Sequence, residues 1–233
     1  MDKIIVYFVL FLVAVIPVII LGYYVNKYDT NKEPIKMLVK LFIYGTIIVL
    51  PCFFMELNLI TLVDIMRFNP NITFFVSNYI VIALSEELWK WIALFLAGYH
   101  SKYFDEVYDG IVYGTFVALG FACVENIAYV FSYGIETGLA RAFLAVPSHV
   151  CNGIIMGYFL SLAKKSHKKK DKLKEIQYIL LSFIVPTIVH GTYDLLASLE
   201  TSISYVILAI IVIIIVIVST NIIQTVSRKK EAI

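Results

Sequence analysis

Charge is scarce in this chain. Only 15% of its 233 residues are Asp, Glu, Lys or Arg, where soluble domains run near 25%. Glycine (11) and proline (6) are too few for a linker-rich or low-complexity protein. The three cysteines, Cys52, Cys123 and Cys151, are scattered in apolar surroundings with no C-x-x-C pair, which excludes a disulfide frame and a thiolate metal centre. Period-2 alternation is missing, so a membrane β-barrel is excluded. H-E-x-x-H and G-x-S-x-G are missing too, as is any Ser-His-Asp pattern. The first residues lack a basic n-region and a small-residue cleavage site, so the opening apolar run is expected to be retained as a span.

Hydrophobic residues make up 61% of the chain, and its mean hydropathy is +0.87. Long apolar runs predict an all-α fold, a polytopic membrane bundle in one domain (1–233), because backbone in lipid must satisfy its own hydrogen bonds. Seven spans are predicted, at about 4–24, 37–55, 74–98, 110–132, 142–163, 177–198 and 202–224. Arg67-Phe68-Asn69-Pro70-Asn71 reads as a turn between the second and third.

Basic residues alternate between the two ends of these spans. Lys27, Lys32, Lys36, Lys40, Lys102, the seven lysines of 164–174 and Arg228-Lys229-Lys230 fall on one side; Lys3, Arg67 and Arg141 fall on the other. The positive-inside rule makes the first side cytoplasmic, with the N-terminus outside and the C-terminus inside. The lysine run reads as a topogenic anchor that touches anionic lipid; no nucleic-acid partner is expected.

Against this background a few polar residues stand out. Glu86, Glu87 and Lys90 share one turn of the third span. Unpaired, three such residues would cost roughly 8–10 kcal/mol at the bilayer centre, so they must face protein or water and find partners. Glu125 and Asn126 lie in the fourth span, His149 and Asn152 in the fifth, His190 and Asp194 in the sixth. Counting at about 1.5 Å per residue puts Glu86, Glu125, His149 and His190 roughly 12–18 Å below the outer end of their helices. Four helices agreeing in depth predict one polar cavity in the outer half of the membrane. Ser85, Ala122, Gly153, Gly157 and Gly191 allow the helices to approach closely there.

Such a cavity can activate water. A glutamate can act as general base and a histidine can stabilise an oxyanion. Glu86, Glu125, His149 and His190 can instead hold a divalent metal such as zinc, assembled across helices. Spacing leaves open whether a metal takes part and which of Glu86 and Glu87 is the base. Two other readings use the same residues: a proton-coupled transporter or channel, and a non-enzymatic peptide-binding sensor or immunity protein.

At these motifs the chain resembles the PrsW family of bacterial membrane proteases, relatives of the CAAX prenyl endopeptidase and Abi/CPBP proteins. Tyr28-Asp29 with Glu33-Pro34, Glu86-Glu87-Leu88-Trp89-Lys90, Asp109-Gly110-Ile111-Val112-Tyr113-Gly114 with Gly120 through Asn126, His149, and His190-Gly191-Thr192-Tyr193-Asp194 carry the resemblance, in family order. It implies an endopeptidase of the bacterial plasma membrane. The expected reaction is the outer-side, site-1 cut of a single-pass anti-sigma factor in envelope-stress signalling. The resemblance makes Glu86, Glu87, Glu125, His149 and His190 the catalytic set, with Lys90, Asn126, Asn152 and Asp194 in support.

Overall fold

Helix accounts for most of the chain in the computed structural model, which describes residues 3–233. After α1 (Lys3–Tyr28) and a short loop come α2 (Ile35–Ile47) and α3 (Val49–Met66), continuous through a helical Ile48. The break falls where Pro51 removes a backbone donor and crowds the carbonyl four residues back. α4 (Pro70–Val76), a π-helical stretch Ser77–Leu84, α5 (Ser85–Leu94) and a second π stretch Phe95–Tyr99 follow. Their junction residues keep right-handed helical dihedrals, so 70–99 is one continuous helical rod. α6 (Val107–Tyr133), the short α7 (Ile135–Phe143), α8 (Ala145–Lys168), α9 (Lys172–Ser198) and α10 (Ser202–Lys229) complete the bundle.

Among the described residues, six helical stretches are long and apolar enough to cross a membrane. The 70–99 rod, which carries the charged turn, occupies the place of the remaining expected span, 74–98. This is a polytopic helical membrane protein, as expected. Two boundaries differ from the sequence reading. The second span runs on to Met66 rather than stopping near 55, because a lone glutamate does not end a helix whose next turns are apolar. The fifth is preceded by α7, an amphipathic helix where a loop was expected. The predicted turn at 67–71 is present: Arg67 adopts a left-handed conformation, and the Asn69 side chain caps α4 by accepting from the Ile72 N–H, with Pro70 at the first helical position.

α6 and α8 form the core. Glycines let their backbones nearly touch: a Cβ on Gly157 would meet the Gly110 carbonyl, and one on Gly114 the Gly153 carbonyl. α2 approaches α6 in the same way through Gly45 and Gly120. The outward faces of α1 and α10 present bare Ile, Phe and Val, the pattern of a lipid-facing surface.

The lysine-rich end is tied together by polar contacts. The Tyr113 hydroxyl donates to Glu33 Oε2 (2.7 Å), and the Tyr108 hydroxyl to the Val25 carbonyl (2.8 Å). Asp109 Oδ2 accepts the backbone N–H of Asp105 (2.9 Å) and Glu106 (2.6 Å), closing the first turn of α6. Residues 231–233 then lie antiparallel to this segment. The Val107 N–H donates to the Glu231 carbonyl (2.9 Å) and the Ile233 N–H to the Asp105 carbonyl (2.7 Å). Lys165 pairs with Glu231, and Lys168 donates to the Ile233 carbonyl (2.8 Å).

Candidate active site

Glu86, Glu87 and Lys90 lie on α5, between the two π stretches of the rod. Lys90 is almost wholly buried. Its ammonium donates to Glu86 Oε2 (2.9 Å), to Glu87 Oε1 (2.9 Å) and to His149 Nδ1 (3.0 Å), and sits over the Phe121 ring at 4.2 Å. The charges that looked prohibitive in the sequence therefore neutralise one another within a turn and across to α8.

The two glutamates divide by direction. Neighbours on a helix are turned by about 100°. Glu87 is fully buried and accepts from Lys90 and from His190 Nδ1 (2.8 Å). Glu86 lines a cavity of about 580 Å³, with His149, His190, Glu125, Asp194 and Arg141 around it.

The histidine tautomers follow from their partners. An ammonium can only donate, so His149 Nδ1 accepts from Lys90 and its proton is on Nε2, facing Glu125 Oε2 at 2.8 Å. A carboxylate can only accept, so His190 carries a proton on Nδ1 toward Glu87 and turns Nε2 to the cavity. His190 Nε2 lies 3.3 Å from Asp194 and 3.8 Å from Glu86 Oε2, and the two imidazoles meet edge to face at 5.2 Å. Arg141 on α7 completes the wall. It lies 3.1 Å from Glu125, donates through Nε to the Asn126 side-chain Oδ1 (3.1 Å) and covers the Tyr129 ring at 4.0 Å.

Donor atoms of Glu86, His149 and His190 all lie within 4.8 Å of one another. A two-histidine, one-carboxylate set is a recurring catalytic zinc arrangement with a free position for water. The outer partners fit it as well: Glu87 holds the far nitrogen of His190, and Glu125 that of His149. Lys90 engages two of these donors, Glu86 Oε2 and His149 Nδ1, so the ammonium and a dication are alternatives for the same lone pairs.

The structure thus brings together Glu86, Glu87, Glu125, His149 and His190, with Lys90 and Asp194 among them. Asn126 turns away: its amide donates to the Ala14 carbonyl on α1 (2.9 Å) and joins the site only through Arg141. Asn152 is fully buried one turn beyond His149, with neither amide atom hydrogen-bonded. Two cavity residues went unrecognised in the sequence. Arg141 counted there only as a topogenic charge, and Glu56 on α3 fell just past the expected end of the second span. The Asp29 and Glu33 motif residues lie at the lysine-rich end instead. Burial pushes both carboxyls above the ordinary carboxylate range, against hydrogen bonds from neighbouring backbone and, for Glu33, from Tyr113.

Fold and site together define a class: multi-pass membrane proteases with glutamate and histidine between their helices. Residues 33–220 match the model of a family described as PrsW family intramembrane metalloprotease, and the chain belongs to the PrsW family. Protease PrsW of Bacillus subtilis (strain 168) is 36% identical over 192 residues, 81% of this chain and 82% of that protein. Protease PrsW of Oceanobacillus iheyensis is 37% identical over 183 residues, 78% and 79% of the two chains. Protease PrsW of Clostridioides difficile (strain 630) is 32% identical over 196 residues, 82% and 80%. No solved structure matches the chain significantly.

Proposed function

We propose that this membrane protease cuts a single-pass membrane protein on the outer side of the bacterial plasma membrane, with Glu86 as the proton-transferring base. The observation that carries this reading is the split between the glutamates. Glu86 faces the cavity beside both histidines, while Glu87 is sealed behind them.

Lys90 and His190 both approach Glu86 through Oε2, which leaves Oε1 for the cavity. Water held there gives its proton to Oε1 as its oxygen attacks the peptide carbonyl. The C–N bond then breaks, and Oε1 returns the proton to the departing nitrogen. Glu87 and Glu125 keep the two imidazoles aimed, and Arg141 keeps Glu125 in place. Glu86 Oε2, His149 Nδ1 and His190 Nε2 would hold a zinc ion. Such an ion, when bound, polarises the carbonyl and acidifies water.

The positive-inside pattern orients the molecule. Lys164–Lys174 and Arg228–Lys230 sit at the cytoplasmic face beside anionic lipid, and the site lies toward the other face. An anti-sigma factor cut at its outer juxtamembrane segment is the substrate this placement suits, a site-1 step in envelope-stress signalling.

The test is reconstitution in liposomes with a single-pass substrate. Glu86→Gln is expected to lose at least about 100-fold in kcat, the size of a general-base contribution. Glu87→Gln, which still accepts from His190, is expected to lose less. Wild-type cleavage by Glu86→Gln would remove Glu86 from the role.

A further inference from the structure

One carboxyl on the cavity wall has no cationic partner among the described residues. Four carboxylates face this space: Glu56, Glu86, Glu125 and Asp194. Glu86 lies beside Lys90, Glu125 beside Arg141 and His149, and Asp194 beside the His190 ring. Both nearby cations are thereby engaged. Glu56 has a different surrounding. The hydrogen bond it accepts is from the Cys52 thiol, one turn back on the same helix, at 3.3 Å. Among the described residues no cationic side chain pairs with it.

Its position is costly without a reason. Glu56 stands in α3, eleven residues before Arg67, so it lies roughly 16 Å from the end of that helix. That is the depth of the Glu86 and histidine cluster. Asn58 and Thr61 on the same helix turn back to carbonyls of their own preceding turn (2.6 and 2.8 Å); Glu56 does not. A carboxylate held at this depth marks a polar pathway or a ligand. Because α3 packs chiefly on the 70–99 rod, its cavity face is a wall with open space in front of it, facing the Glu125 and Arg141 side.

We infer that Glu56 is a recognition residue that receives a basic side chain of the bound polypeptide close to the bond to be cut. This rests on the endopeptidase reading above. A space of about 580 Å³ takes a few extended residues at once, and the carboxyl on its wall without a cationic partner is Glu56. A lysine or arginine entering beside Glu86 supplies the missing partner; an acidic residue meets a carboxyl with no cation beside it and is disfavoured.

The test uses reconstituted protein and single-pass substrates that carry Lys, Leu or Glu within three residues of the scissile bond. Wild type is expected to favour Lys over Leu by at least tenfold in kcat/KM. Glu56→Gln is expected to lose that preference, and Glu56→Lys to favour Glu over Lys. An unchanged Lys-to-Leu ratio in Glu56→Gln, or no basic preference in wild type, overturns the assignment. Binding of the same labelled peptides to Glu86→Gln, with and without Glu56→Gln, reads recognition without cleavage. Tenfold tighter binding of the Lys peptide, lost on adding Glu56→Gln, upholds the recognition site even if wild type cuts nothing, and then it is the protease reading that falls. Equal binding of the Lys and Leu peptides overturns the recognition site.

Discussion

Lys90→Met is the most informative single change. The side chain is nearly isosteric in its stem, so the substitution removes the ammonium and little else. That ammonium, itself buried, donates to Glu86, Glu87 and His149 at 2.9–3.0 Å. Taking one partner from a buried ion pair costs about 3–5 kcal/mol, because the other charge stays buried. Glu87 keeps His190, so the lower end applies: about 3 kcal/mol, a roughly 150-fold fall in the folded-to-unfolded ratio. The chain's two tryptophans, Trp89 and Trp91, flank Lys90 and report on its surroundings. Equilibrium unfolding in mixed detergent micelles, followed by their fluorescence, gives the difference directly. Adding Glu87→Gln removes the stranded charge and is expected to recover about 2 kcal/mol, a coupling that a double-mutant cycle isolates. A loss under about 1 kcal/mol for Lys90→Met, or no recovery in the double variant, would refute the view that this ammonium is the counter-charge of the buried carboxylates.

Other expectations follow from the same geometry. His149→Ala and His190→Ala should each weaken zinc binding at least about tenfold, measured as metal content after equilibration with a chelator. Lys90→Met should strengthen it, since the ammonium competes for Glu86 Oε2 and His149 Nδ1. Gly157→Val should destabilise the bundle by about 3 kcal/mol, because its Cβ would meet backbone of Gly110 and Ile111 on α6, which cannot swing aside. Gly138→Ala, which meets only the ends of Val13 and Val130, should cost less in the same unfolding assay. Finally, burial raises the folded-state value of Glu33 above its unfolded one. Its contribution is therefore fully present at low pH, below the unfolded value, and declines as pH rises through the folded value. Glu33→Gln should flatten that decline in a pH series of unfolding measurements.

The site was legible because charge is expensive in an apolar run. Glu86, Glu125, His149 and His190 each interrupt such a run, and equal depth on four helices singled them out before any contact was known. Direction around the helix was the harder matter. Asn126 sits next to Glu125 in sequence, but the turn of about 100° between neighbours sends it to α1 instead. The roles of Glu86 and Glu87 separate only once the helices that bury one of them are in place. Glu56 was missed for a related reason: a charged residue near the end of an apolar run reads as the end of the span, whereas α3 carries it one turn past Cys52 and continues to Met66. Arg141 escaped notice because its helix, α7, is too short and too polar to stand out as a membrane element.

The short antiparallel contact at residues 231–233 sets a timetable for the enzyme's birth. Backbone groups that close the start of α6 find their partners in residues made more than 120 positions later. At ribosomal rates of about 5–20 residues per second, roughly 6–25 s pass between synthesis of the two. During that interval the start of α6 is held by Asp109 and by Tyr108 and Tyr113. The start of the helix that carries Glu125 is therefore paired to residues 231–233 only after the whole of α10 has been made.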